Sequence, residues 1–205
     1  MKIAILGAGN VGGALAKQWA KSGHEISLGA RDTNSEKIKK LESFNGNIKA
    51  YDMKEAVEKS EVILISLSIP AVVQVAKSLS DLSSKIIIDA TNSVFGKPEP
   101  YKNTFEAFKE ITGCNDIIKC FNTTGFENME NPVYKGKGID MFVAGKSGKA
   151  KEVAIQLSKD AGFESCYDFG GDDKVELIEQ FAMAWINLAI IQGQGRDIAF
   201  KVLKR

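Results

Sequence analysis

The sequence predicts an α/β fold. It is a doubly wound, mostly parallel sheet with helices on both faces, extended by a small C-terminal α/β region that ends in a long helix. Three observations predict it. Short β-rich runs alternate with helix-period runs along most of the chain. The runs "EVILISL" and "KIIIDA" are apolar almost without a break, as strands buried on both faces require. A glycine-rich turn, "GAGNVGG", joins the first strand-like run to the first helix-like run.

The elements follow in order. "KIAILG" precedes "VGGALAKQWAKSG", "HEISLGA" precedes "SEKIKKLESF", and "NIKAYD" precedes "MKEAVEKS". "EVILISL" then leads into "PAVVQVAKSLSDL", and "KIIIDAT", "TFEAFKEITG" and "DIIKCFN" complete the first part. The stretch "TTGFENMENPVYKGKG" breaks the rhythm with Gly, Asn and Pro, and reads as a loose connection. It places a boundary between a nucleotide-binding domain over 1–137 and a small α/β region over 138–205. In the second part, "IDMFVAG", "KAKEVAIQLSKDAG" and "FESCYDF" read as strand, helix and strand. The run "DKVELIEQFAMAWINLAIIQG" reads as the long helix, Lys174 to Gln192, apolar on nearly every side in its second half.

Charge and composition exclude several classes. Lys plus Arg is 27 and Asp plus Glu is 26, a formal charge of +1 that gives no footprint for nucleic acid or a membrane surface. "VILISLSIPAVVQVA" is too short and too interrupted to span a bilayer. The three cysteines form no CxxC pair, and an odd count fits a reducing compartment, so a cytoplasmic location is expected. Cys120, in an apolar strand, reads as a core residue. No metal-ligand cluster is visible.

The glycine turn has the context that gives it meaning: strand before, helix after, and a βαβ unit of the right length. Gly7 permits the tight turn, Gly9 lets backbone approach a pyrophosphate, and Gly12 lets the helix pack close to the strand. The first-turn N–H groups and the helix dipole then face the phosphates of a dinucleotide. Arg31, nineteen residues after Gly12, stands where NAD-binding sequences carry an acid. An arginine there suits the 2′-phosphate of NADP. Ser35 and Lys37 are further candidates for that phosphate. Asp32, the next residue, keeps NAD open if its carboxylate turns to the ribose.

In such a sheet the ligand lies beyond the carboxyl ends of the strands. Those ends read "SLSIP", "DATNS" and "CFNTTG". Pro70 suits a first helical turn, with Ser68 as its cap. Ser68, Asn92, Asn122 and Thr123 are expected to bound the nicotinamide end as positioning residues. None is a general acid, and no catalytic residue can be named. Lys97 and Lys119 lie near these strand ends without standing out, and the single histidine, His24, is remote and reads as structural. An acceptor that takes hydride into a conjugated ring demands less of the protein than a carbonyl does.

These residues carry a resemblance. The chain resembles the NADP oxidoreductases that depend on the deazaflavin coenzyme F-420 and their bacterial relatives, through "ILGAGNVGGALAKQWAKSGHEISLGAR", "EVILISLSIPAVV", "IIIDATNS", "IKCFNTTG", "DMFVAG" and "GRDIAFKVL". The resemblance implies a Rossmann-type fold. It implies that Asn10 and Val11 contact the pyrophosphate and that Ala30 and Arg31 take the 2′-phosphate. With Gly7, Gly9, Gly12, Ser35, Leu67, Ser68 and Asn92 they make the expected NADP set. The expected activity is hydride transfer between NADP(H) and a flavin-like or deazaflavin acceptor. The alternatives are a non-catalytic NADP(H) sensor or regulatory module and a small-molecule imine or carbonyl reductase. The apolar surplus on the last helix implies a homodimer.

Overall fold

The computed structural model describes residues 1–79 and 81–205. Its strands are β1 (Lys2–Leu6), β2 (Glu25–Gly29), β3 (Ile48–Tyr51), β4 (Val62–Ile65), β5 (Ile86–Asp89), β6 (Ile117–Cys120), β7 (Val133–Tyr134), β8 (Lys137–Gly138), β9 (Asp140–Ala144) and β10 (Ser165–Asp168). Its α-helices are α1 (Asn10–Lys21), α2 (Glu36–Glu42), α3 (Met53–Glu58), α4 (Val72–Ser78), α5 (Thr104–Thr112), α6 (Phe126–Glu130), α7 (Gly148–Asp160) and α8 (Val175–Ile186). Among the described residues, eight strands form one sheet in the order β10-β9-β6-β5-β4-β1-β2-β3.

β1 to β6 run parallel. β9 pairs antiparallel to β6, and β10 runs parallel to β9, so the last two strands are reversed. Both parts of the chain therefore contribute to one sheet.

The alternation of side chains along β1 explains the double winding. Ile3 and Ile5 point to a core layer built with Leu15 and Trp19 of α1 and Leu157 of α7. Ala4 and Leu6 point to the opposite layer, with Val72 of α4 and Phe105 and Phe108 of α5. Every residue of β4, β5 and β6 is buried; β4 is apolar throughout, while β5 and β6 each bury one charged residue, Asp89 and Lys119.

The stretch from Thr123 to Gly138, expected as a loose connection, holds more structure than its composition suggests. It contains α6 and the antiparallel pair β7–β8, turned by Lys135 and Gly136 at φ 49° and 80°. Two consecutive positive φ values are what a two-residue hairpin turn needs, and short elements leave little periodicity to read.

The long helix is present. α8 buries Val175, Ile178, Ala182 and Trp185, and a single π-type turn continues it over Asn187–Ile191. Residues 192–205 fold back. Trp185 Nε1 donates to the Ile198 carbonyl at 2.7 Å, Val202 N donates to Asp140 Oδ2 at 2.7 Å, and Phe200 packs on Phe181.

Trp19 ties the two parts together. It is fully buried, its Nε1 donates to the Leu157 carbonyl of α7 at 2.9 Å, and its ring meets Phe121 edge-on. Trp19→Ala is expected to cost about 3–5 kcal/mol, measured as a shift in the urea midpoint. A loss below ~1 kcal/mol would show that this contact does not couple the parts.

Candidate functional site

The site is set by how closely β1, β4 and α1 approach. Gly7 leaves β1 at φ +102°, and a Cβ there would lie 2.4 Å from the Ser66 carbonyl oxygen. A Cβ on Gly12 would lie 2.2 Å from the Gly7 carbonyl oxygen and 2.6 Å from Ser66 Oγ. That hydroxyl donates to the Gly7 carbonyl at 2.6 Å. A Cβ on Gly9 would meet nothing within 4 Å. Two glycines are thus demanded by the protein's own packing, while the third faces open space at the start of α1. Gly9 is the N-cap of α1 and no side chain caps the helix, so its first N–H groups remain available.

A groove of about 670 Å³ runs from this turn across the ends of β2 and β4. It brings together Gly7, Gly9, Ala30, Arg31, Ser35, Leu67 and Ser68 of the expected set, with Lys37. Gly12 is buried and Val11 half-buried, as backbone contributors must be. Asn10 lies at the rim with Gly9, facing a neighbouring depression of about 320 Å³.

Arg31 is exposed on the groove, and among the described residues it makes no ion pair. Asp32 is committed elsewhere. Its Oδ1 accepts from Asn34 N at 2.9 Å, closing a local turn, and its carbonyl accepts from Ser35 Oγ at 3.1 Å. The carboxylate that left NAD open is therefore engaged in turn geometry. Ser68 precedes the short turn Ile69–Ala71 with Pro70 at its start, but its hydroxyl makes no capping bond and stays free at the groove edge.

The ends of β5 and β6 differ from expectation. Asn92 lines a recess of about 570 Å³ with Ile69, Pro70 and Lys97. Asn122 and Thr123 do not line it. Asn122 is buried and paired with Asn92: Asn92 Nδ2 donates to the Asn122 carbonyl at 2.8 Å, and Asn122 Nδ2 donates to Asn92 Oδ1 at 3.0 Å. Thr123 is buried with its hydroxyl toward Met141 Sδ. The cause lies in Phe121, held at φ 61°, which turns the chain inward after β6. A bulky residue in that region is an outlier that the surrounding packing must enforce.

Beneath Asn92 and Asn122 sits a cluster that sequence reasoning missed. Lys119 is fully buried; its Nζ donates to Asp89 Oδ2 at 2.7 Å and to Glu179 Oε1. Burial alone would lower the lysine, but the two carboxylates override it and hold it above its ordinary value. Burial pushes Glu179 upward, against the pull of Lys119. A signal existed: Lys119 and Asp89 are charged residues inside apolar strands, and they are register partners across β5 and β6.

His24 is structural. Its Nδ1 contacts the N-terminal amine at 3.1 Å and its Nε2 contacts Asp160 Oδ2 at 2.8 Å, far from the groove. Cys120 is a core residue whose thiol burial pushes well up. Among the described residues, no group of three or more His, Cys, Asp or Glu could hold a metal ion, and no helix is long and apolar enough to cross a membrane.

A parallel sheet with β3-β2-β1-β4-β5-β6 order and a glycine turn opening the first helix defines a Rossmann-type dinucleotide-binding protein. Residues 2–93, under half of the chain, match the family described as NADP oxidoreductase, coenzyme F420-dependent, in keeping with the resemblance in the sequence.

Glycerol-3-phosphate dehydrogenase (NAD(P)+) of Thermoanaerobacter sp. strain X514 is 30% identical over 132 residues, which are 58% of this chain and 38% of that protein. The chain thus spans under two fifths of that relative's length. A candidate F420-dependent NADP reductase of Arthrobacter sp. FB24 superposes with a TM-score of 0.82 at 22% identity, with both chains fully covered. A reductive aminase from Aspergillus terreus, in complex with NADPH, superposes at 0.64 with 18% identity over 94% of this chain and 60% of that one. At these identities the structural likeness establishes the fold.

The glycine geometry predicts a contrast in stability. Gly12→Val is expected to cost at least ~1–3 kcal/mol by overpacking. Gly9→Val, facing open space, should cost about 1 kcal/mol or less. Thermal or urea denaturation of both variants measures it, and equal losses would contradict the assignment of the open side.

Proposed function

We propose that the protein is an NADP(H)-dependent oxidoreductase whose acceptor is a planar conjugated ring of the flavin or deazaflavin type. The observation that carries the cofactor reading is Arg31, exposed on the groove while Asp32 is folded into its own turn. The residues present fit the dinucleotide. The side of Gly9 is open and the first N–H groups of α1 are uncapped. The family matched over residues 2–93 supports the same cofactor.

In this reading Gly9, Asn10 and Val11 hold the pyrophosphate through backbone N–H groups, and Gly7 and Gly12 keep the turn close enough to do so. Arg31, with Ala30, Ser35 and Lys37 beside it, meets the 2′-phosphate. Leu67 and Ser68 bound the middle of the groove. Asn92, backed by Asn122, orients the nicotinamide end, and Thr123 acts only through packing. When bound, NADPH supplies hydride from its nicotinamide C4. The chain's own residues orient that ring and exclude water; Asn92 and Ser68 move no proton at neutral pH.

We infer in addition that the protein acts as a homodimer in the cytoplasm. Leu177, Leu188, Ile190 and Ile191 are exposed apolar residues on α8 and the turn after it, surface that a second copy would bury.

NADPH is expected to bind roughly 10- to 100-fold more tightly than NADH, from a charge-assisted contact of about 1.5–3 kcal/mol. Calorimetric titration of the wild type and of Arg31→Ala checks it, and the variant should lose the preference. Equal affinities in the wild type would refute the 2′-phosphate assignment.

Light scattering at micromolar concentration should give a dimer, converted to monomer by Ile190→Glu with Ile191→Glu. A monomeric wild type would refute the dimer.

A further inference from the structure

We propose that Asp89, Lys119 and Glu179 form a buried clamp that positions Asn92, and through it the nicotinamide end of the cofactor. The inference rests on the nucleotide reading above and adds three positioning residues to it. Asp89 holds a neighbour of Asn92, and Lys119 ties Asp89 to Glu179. Asp89 Oδ1 accepts from Thr91 N at 2.9 Å and from Thr91 Oγ1 at 2.8 Å. Lys119 bonds both carboxylates and so joins this hold to α8. Asn92 sits between Thr91 and Ser93, on a loop that would otherwise be free to move.

The same assembly fixes the partner of Asn92. Asn122 follows Lys119 by three residues, after the turn forced at Phe121, and its Nδ2 reaches the Ile178 carbonyl of α8 at 3.5 Å. Glu179 is the next residue on that helix. The loop after β5, the loop after β6 and α8 are therefore joined at one buried point by charge-assisted bonds.

A purely structural role explains the cluster poorly. Buried ion clusters of this kind are commonly replaced by apolar residues without loss of stability. Here an apolar core already surrounds the site, with Ile87, Ile88 and Ile118 fully buried in the same strands. Directional bonds to Thr91 supply what apolar packing lacks, a defined backbone position beside Asn92.

The test compares NADPH with 2′-phospho-ADP-ribose, which has the same adenosine and phosphate groups but no nicotinamide. Wild type should bind NADPH about tenfold more tightly than the fragment. Glu179→Leu should abolish that difference and leave the fragment's affinity unchanged, while Glu179→Gln, which keeps an acceptor for Lys119, should retain it. The triple variant Asp89→Asn, Lys119→Met, Glu179→Leu carries no uncompensated charge and guards against misfolding; it too should bind the fragment normally and lose the difference. A triple variant that keeps the full difference would overturn the clamp. A wild type that shows no difference would overturn the Asn92 assignment itself, before any variant is made.

Discussion

The close approach of β1, β4 and the first turn of α1 governs the rest of the molecule. Ser66 Oγ donates to the Gly7 carbonyl, and Gly12 sits against both groups with no room for a methyl group. This contact drives the N-terminus of α1 onto the carboxyl edge of the sheet. It also leaves Gly9 facing outward. A helix end with free N–H groups, next to a groove that ends at an arginine, follows from that one packing constraint.

A second constraint acts on the other side of the groove. Three charged side chains are buried at the ends of β5, β6 and α8, and burial raises the cost of any arrangement that leaves one unpaired. Asp89, Lys119 and Glu179 satisfy one another, and the second oxygen of Asp89 accepts from the Thr91 backbone. The polar groups nearest the recess are thus held by electrostatics from beneath, where apolar packing alone would leave the loops less defined.

The nucleotide half was legible because its signals are local. Gly7, Gly9, Gly12 and Arg31 fall within one βαβ unit, and at Gly7 and Gly12 the close approach of backbone leaves no room for a side chain. The unbroken apolar runs of β4 and β5 gave their central place in the sheet. The buried cluster was hidden because its members lie 30 and 60 residues apart, and the register that joins them exists only after folding. Asn122 and Thr123 were placed at the right strand end but on the wrong side of its surface. Nothing local announces that Phe121 turns the chain inward. The reversal of β9 and β10 is equally a matter of tertiary choice, since their sequences fit a strand of either direction.

The most direct test of the account is a crystal structure of the protein with NADP bound. The account predicts the pyrophosphate against Gly9 and the first N–H groups of α1, the 2′-phosphate within hydrogen-bonding distance of Arg31, and the nicotinamide carboxamide beside Asn92. A dinucleotide lying outside the groove, or one whose 2′-phosphate points to solvent away from Arg31, would contradict it.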